Sequence, residues 1–166
     1  SSPADSAEAM TGAIGTGANA SGFYLTAGNS FQLGSGQWCE HILCDNFGVD
    51  IGPGGGSFLN MTGVSGTAES IMTKSNFRAL RLRTLSTSKE IVSVTGYSEY
   101  HSNNWVGCEM DRPTASTVGL MIFKANAGNV MNSNAIRGLW AHGHNTTGAP
   151  AIIVGSSQAG WQHNWT

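Results

Sequence analysis

Six side chains within nine residues, Tyr97, Tyr100, His101, Asn103, Asn104 and Trp105, have the chemistry to grip a sugar. Carbohydrate recognition needs flat aromatic faces that stack on the apolar faces of the rings. It also needs amides, imidazoles or acids that satisfy the hydroxyls. The segment supplies both kinds of group, and Trp140, Trp161 and Trp165 are further aromatics of the same use. The competing reading makes Tyr97 and Trp105 core residues flanking a loop, because large aromatics dominate cores.

A second cluster is Trp140-Ala141-His142-Gly143-His144-Asn145. On an extended strand His142 and His144 point the same way, so they can share a metal. In a threefold-symmetric trimer, three such pairs around the axis supply an octahedral set of imidazoles. In a monomer the pair is two ligands short of a tetrahedral zinc site, and solvent-facing or hydrogen-bonded histidines are the simpler reading.

Catalysis has less behind it. Glu99, Glu109 and Asp111 surround the aromatic segment, and glycoside hydrolysis needs two carboxylates flanking the scissile bond. No G-x-S-x-G or H-E-x-x-H occurs, and Gly52–Gly56 lacks the lysine and helix of a phosphate loop. Arg78, Arg81 and Arg83 suit an acidic sugar or a phosphate, or else pair across strands.

The elements that must position these groups read as short strands. FRALRLRT, EIVSVTGYSEYHSNNWVGCEMD and TVGLMIFKANAGNV carry apolar runs separated by Ser, Thr, Asn, Gly and Pro, the pattern of consecutive antiparallel strands with elaborated loops. Further strands are expected at 22–26, 30–33, 37–43, 57–64, 135–141 and 151–154, and an aromatic segment, 161–165, closes the chain. In the first central run, strict alternation puts Arg78, Leu80, Leu82 and Thr84 on one face. Phe77, Ala79, Arg81 and Arg83 then share the other. No repeat of fixed period is visible. The expectation is an all-β antiparallel sandwich or jelly roll over residues 22–166. A short helix capped by Ser2-Pro3-Ala4-Asp5 and a linker would occupy residues 1–21.

Composition narrows the classes. Charged residues are 11 % of the chain, against roughly 25 % in an average globular protein, and glycine is abundant. That suits an extracellular or virion-surface β-protein built on backbone ladders. Residues 1–73 hold six acids and no Lys or Arg, whereas residues 74–166 hold eight bases and four acids. Such asymmetry marks head-to-tail packing, an anion-binding second half, or scattered surface charge. A pI near 6.2 with no basic stripe argues against nucleic acid. Cys39, Cys44 and Cys108 are expected to be buried free thiols of a chain folded in a cytoplasm. No apolar run is long enough for membrane insertion by a helix, and no signal peptide is expected.

Sparse charge, abundant Gly, Ser, Asn and Thr, short strands and tryptophans near the end together resemble the C-terminal receptor-binding or trimerisation domain of a bacteriophage tail fibre or tailspike. His142-Gly143-His144 is similar to the H-x-H pairs that bind an axial metal in some trimeric fibre tips, although this chain has a single pair. The resemblance implies a homotrimer on the virion surface, host-surface polysaccharide as ligand, and no cofactor needed for folding. The leading expectation is therefore a glycan-binding domain using Tyr97, Tyr100, His101, Asn103, Asn104, Trp105 and Trp140. A structural trimerisation or capsid-type jelly roll is the first alternative, and a small polysaccharide hydrolase or esterase the second.

Overall fold

The computed structural model describes residues 12–14, 22–112, 116–125, 131–143, 150–155 and 163–165. Every regular element among them is a strand, and the strands follow one another around a coil. After β1 (Gly12–Ile14), the first turn holds β2 (Gly22–Leu25), β3 (Phe31–Leu33), β4 (Trp38–Glu40) and β5 (Leu43–Asp45). The second holds β6 (Gly48–Ile51), β7 (Leu59–Gly63), β8 (Ser70–Thr73) and β9 (Asn76–Arg78). The third holds β10 (Arg81–Thr84), β11 (Val92–Gly96), β12 (Ser98–His101) and β13 (Asn104–Val106). The fourth holds β14 (Glu109–Asp111), β15 (Met121–Ala125) and β16 (Met131–Arg137). Strands β17 (Trp140–Ala141), β18 (Ile152–Val154) and β19 (His163–Trp165) form the last.

Each strand pairs with its counterpart one turn away, giving four sheets that wrap one core. The first sheet runs β1-β2-β6-β10-β14-β17, the second β18-β15-β11-β7-β3, the third β12-β8-β4 and the fourth β19-β16-β13-β9-β5. All these pairings are parallel except β1 with β2. The molecule is a parallel β-solenoid, which overturns the antiparallel sandwich or jelly roll expected from sequence. The reason is physical: Gly- and Asn-rich punctuation marks a change of direction, and a coil corner uses the same residues as a hairpin. The helix expected near residues 2–10 lies outside the described residues.

Register shows why no fixed period is legible. Phe23, Val49, Leu82, Met110 and Ala141 stack in one column at spacings of 26, 33, 28 and 31 residues. The repeat is structural, with corner loops of unequal length absorbing the difference.

Inward positions stack like over like. Leu33, Met61, Val94 and Phe123 form one column, and Cys44, Phe77, Trp105 and Ile136 another. The Phe77 and Trp105 rings are parallel, with centroids 4.2 Å apart, and Phe58 packs edge-on against both. Trp105 Nε1–H donates to Tyr100 Oη at 2.8 Å, so both aromatic polar atoms are satisfied inside the core. The three cysteines are free thiols, Cys44 and Cys108 buried and Cys39 half-buried. Burial pushes the Cys44 thiol up to about 12, so it stays protonated and inert at neutral pH.

Two columns of left-handed residues turn the chain around the fourth sheet. His41, Lys74, Ser102 and Ser133 form one, and Asn46, Ala79, Gly107 and Gly138 the other. Their N–H groups donate across the turns, His41 to Thr73, Lys74 to His101, Asn46 to Arg78, Ala79 to Val106 and Gly107 to Arg137. Six of the eight are not glycine, so the backbone ladder holds a conformation that L-residues adopt reluctantly.

Candidate functional site: the outer face of the first sheet

Where the interior is apolar, alternation sends the remaining side chains outward in columns of their own. On the first sheet, Val49, Leu82 and Met110 face in, so Asp50, Arg81, Arg83, Glu109 and Asp111 face out. One outer column stacks Tyr24, Asp50, Arg83 and Asp111. Its neighbour stacks Gly48, Arg81, Glu109 and Trp140. Arg81 Nε lies 3.8 Å from Glu109 Oε1, and Arg83 Nε lies 3.9 Å from Asp111 Oδ2. His142, whose N–H donates to the Met110 carbonyl, brings Nε2 to 3.6 Å from the same Glu109 oxygen.

The face thus carries charged donors and acceptors with an open aromatic at one end. Trp140 is 69 % exposed and sits in register beside Glu109. Gly48 at the far end of that column leaves the surface low. The arrangement can hold a chain of hydroxyls against charged partners while a ring stacks on the indole. Glu109 and Asp111 each have a guanidinium group nearby as an exposed ion pair, which leaves them open to a ligand.

The residues singled out in sequence separate. Tyr100, Asn103 and Trp105 are interior, which removes them from any surface that a glycan could touch. Asn103 is a corner residue instead: its Oδ1 accepts from Ser75 N–H at 2.9 Å and its Nδ2 donates to the Met72 carbonyl at 3.1 Å. Asn104 faces out from the fourth sheet and donates to Asn76 Oδ1 at 3.1 Å. Tyr97 is half-buried at the corner between β11 and β12, and His101 lies on the third sheet. Of the seven residues expected to bind glycan, only Trp140 belongs to the first sheet, which it shares with Arg81, Arg83, Glu109 and Asp111. His144 and Trp161 lie outside the described residues, as does the side chain of Trp165. Among the described residues no group of three or more His, Cys, Asp or Glu could hold a metal ion.

The third sheet presents a second polar face. Trp38, Ile71 and Glu99 stack in one outer column, with Glu40, Thr73 and His101 in the next. Trp38 is 57 % exposed. His101 Nδ1 lies 3.1 Å from Thr73 Oγ1. Burial and then the adjacent Glu69 carboxylate hold the Glu99 carboxyl above its ordinary range. A hydrogen bond with Glu69 adds to the rise, and His101 opposes it.

Sequence reasoning missed Tyr24, Trp38 and Asp50. Arg81 and Glu109 were each noticed, but they are 28 positions apart and only coil register makes them neighbours. No family model, curated protein or solved structure matches the chain.

Proposed function

We propose that this β-solenoid binds glycan along the outer face of its first sheet, with Trp140 as the stacking residue. The observation that carries the reading is the exposed indole of Trp140, in register beside a Glu109 carboxylate flanked by His142 and Arg81. Large aromatics are normally buried, and one held bare on a rigid strand beside polar groups is a ready stacking platform. Five strands from β2 to β17 span about 19 Å at ~4.8 Å per strand, enough for several sugar rings.

A host-surface polysaccharide as ligand and a trimeric phage fibre or spike as setting complete the proposal. Sparse charge and the Gly-, Ser- and Asn-rich composition support that setting. The test is binding of capsular and lipopolysaccharide glycans by the wild-type chain and by Trp140→Ala, beside mass in solution by light scattering. Covering ~100 Å² of indole at about 25 cal/mol per Å² contributes about 2.5 kcal/mol. Trp140→Ala should therefore weaken binding roughly 70-fold. Unchanged affinity in the variant contradicts the site, and a monomeric mass contradicts the trimeric setting.

A further inference from the structure

Arg112 directly follows β14, and its side chain turns inward. Arg83 pairs with Asp111, so Thr84 and Arg112 each follow a paired residue, and Thr84 itself pairs with buried Ile51, which pairs with Leu25. Arg112 is 3 % exposed, and none of Nε, Nη1 or Nη2 has a hydrogen-bond partner among the described residues. One turn further on stands Gly143, where a Cβ would lie 1.7 Å from the Arg112 carbonyl oxygen.

The chain offers this cation little. Residues 113–166 contain no Asp or Glu. Glu109 and Asp111, its nearest acids in sequence, are engaged on the outer face by His142, Arg81 and Arg83. Burial lowers the affinity of the guanidinium for its proton, yet an arginine side chain starts too basic to shed it. Buried charges are found paired, because a lone one forfeits its hydration and gains nothing in exchange.

We propose that Arg112 is the recognition group of an oxyanion site inside the corner between the first and second sheets, filled by a small carboxylate, phosphate or sulfate from solution. The planar guanidinium fork matches two oxygens of such an anion. Thr84 Oγ1 accepts from Ser86 N–H at 3.0 Å, which leaves the Thr84 hydroxyl hydrogen for a donor role. The site is independent of the glycan face, because Arg112 points into the coil and Trp140 out of it.

Thermal melts at constant ionic strength, with chloride replaced in turn by phosphate, sulfate, acetate and glucuronate, test it. Wild type should melt about 5–10 °C higher once an accepted anion reaches ~100 times its Kd. Arg112→Met should melt at or above wild type in chloride and lose the response. Arg112→Lys should keep a reduced response. A rise with acetate and glucuronate alone assigns a carboxylate, and one with phosphate and sulfate alone assigns an inorganic anion. Equilibrium dialysis of wild type against labelled phosphate and acetate supplies a readout that needs no variant, and about one bound anion per chain is expected. A melt indifferent to all four anions, a response that survives Arg112→Met, or no bound anion in dialysis overturns the proposal. A rise of the melt with protein concentration that Arg112→Met abolishes would assign the counter-charge to a second copy and overturn it equally.

Discussion

Trp105 lies 4.2 Å from Phe77 between ring centroids and donates to Tyr100, so truncating it removes a stack, an edge contact and a buried hydrogen bond together. Trp105→Ala should destabilise the fold by about 3–5 kcal/mol and lower Tm by roughly 10 °C or more. Trp140→Ala removes a side chain that stands in solvent and should change stability by no more than about 0.5 kcal/mol. Paired melting curves of the two variants check this. Equal losses would mean that Trp140 is packed. Glu99 gives a second prediction at this scale. Its folded carboxyl titrates above the ordinary value of 4.5, so the folded state binds more protons than the unfolded chain from about that pH up to the raised value. Stability is therefore fully present below 4.5 and falls as pH rises through the folded pKa. Glu99→Gln should flatten that limb of the Tm-against-pH curve, and an unaltered curve would show that the Glu99 carboxyl is not raised by its burial and by Glu69.

At the scale of elements, the turns are where close packing of backbone is decided. Gly63, at the end of β7, faces the Tyr97 carbonyl, and a Cβ there would lie 1.8 Å from that oxygen and 2.9 Å from the Ser70 nitrogen. Those two atoms form a hydrogen bond of 3.0 Å that ties β8 to the next turn. Gly63→Ala should cost more than about 3 kcal/mol, because only backbone can give way. Gly107→Ala should cost about 1 kcal/mol, since its φ of +62° is left-handed but nothing lies within 4 Å of the added carbon. Ala79, in the same corner column, already accepts φ of +48°. Denaturant midpoints of the two variants separate steric from conformational strain. That same Ala79 shows what the sequence hid. The strand segments were legible, with β2, β3, β7, β11 and β18 inside the runs expected from apolar content. Face assignment failed across 77–84, because a left-handed Ala79 inserts one residue into the alternation. Phe77, Leu80, Leu82 and Thr84 all turn inward, and Arg78, Arg81 and Arg83 outward. The aromatic segment failed in the same way. Tyr100 and Trp105 are five apart and would face opposite sides of one strand, but the left-handed Ser102 between β12 and β13 turns both into the core. Trp140 was named from sequence as an aromatic beside His142, and its exposure is what the structure adds.

Over the whole molecule, coil register also brings acids and bases from distant parts of the sequence together. Acids of the first two turns lie one rung from bases of the next, as in Glu40 with Lys74 and Asp45 with Arg78. Arg81 and Arg83 then lie one rung from Glu109 and Asp111. Two acids of the first half thus lie one rung from two bases of the second, and the other two pairs lie within the second half. Exposed pairs of this kind contribute little to stability, and their effect is to disfavour slippage of one turn against the next. A rigid, charge-patterned face of parallel strands, open to solvent and ending in a bare indole, is the feature on which the functional account stands. The most direct test is the affinity of the wild-type chain and of Trp140→Ala for the same host-surface polysaccharide, measured by titration calorimetry with melting curves alongside. The account predicts saturable binding by the wild type, weakened roughly 70-fold in a variant of unchanged Tm. Equal affinity in the two proteins, or no binding to any surface polysaccharide by the wild type, would contradict it.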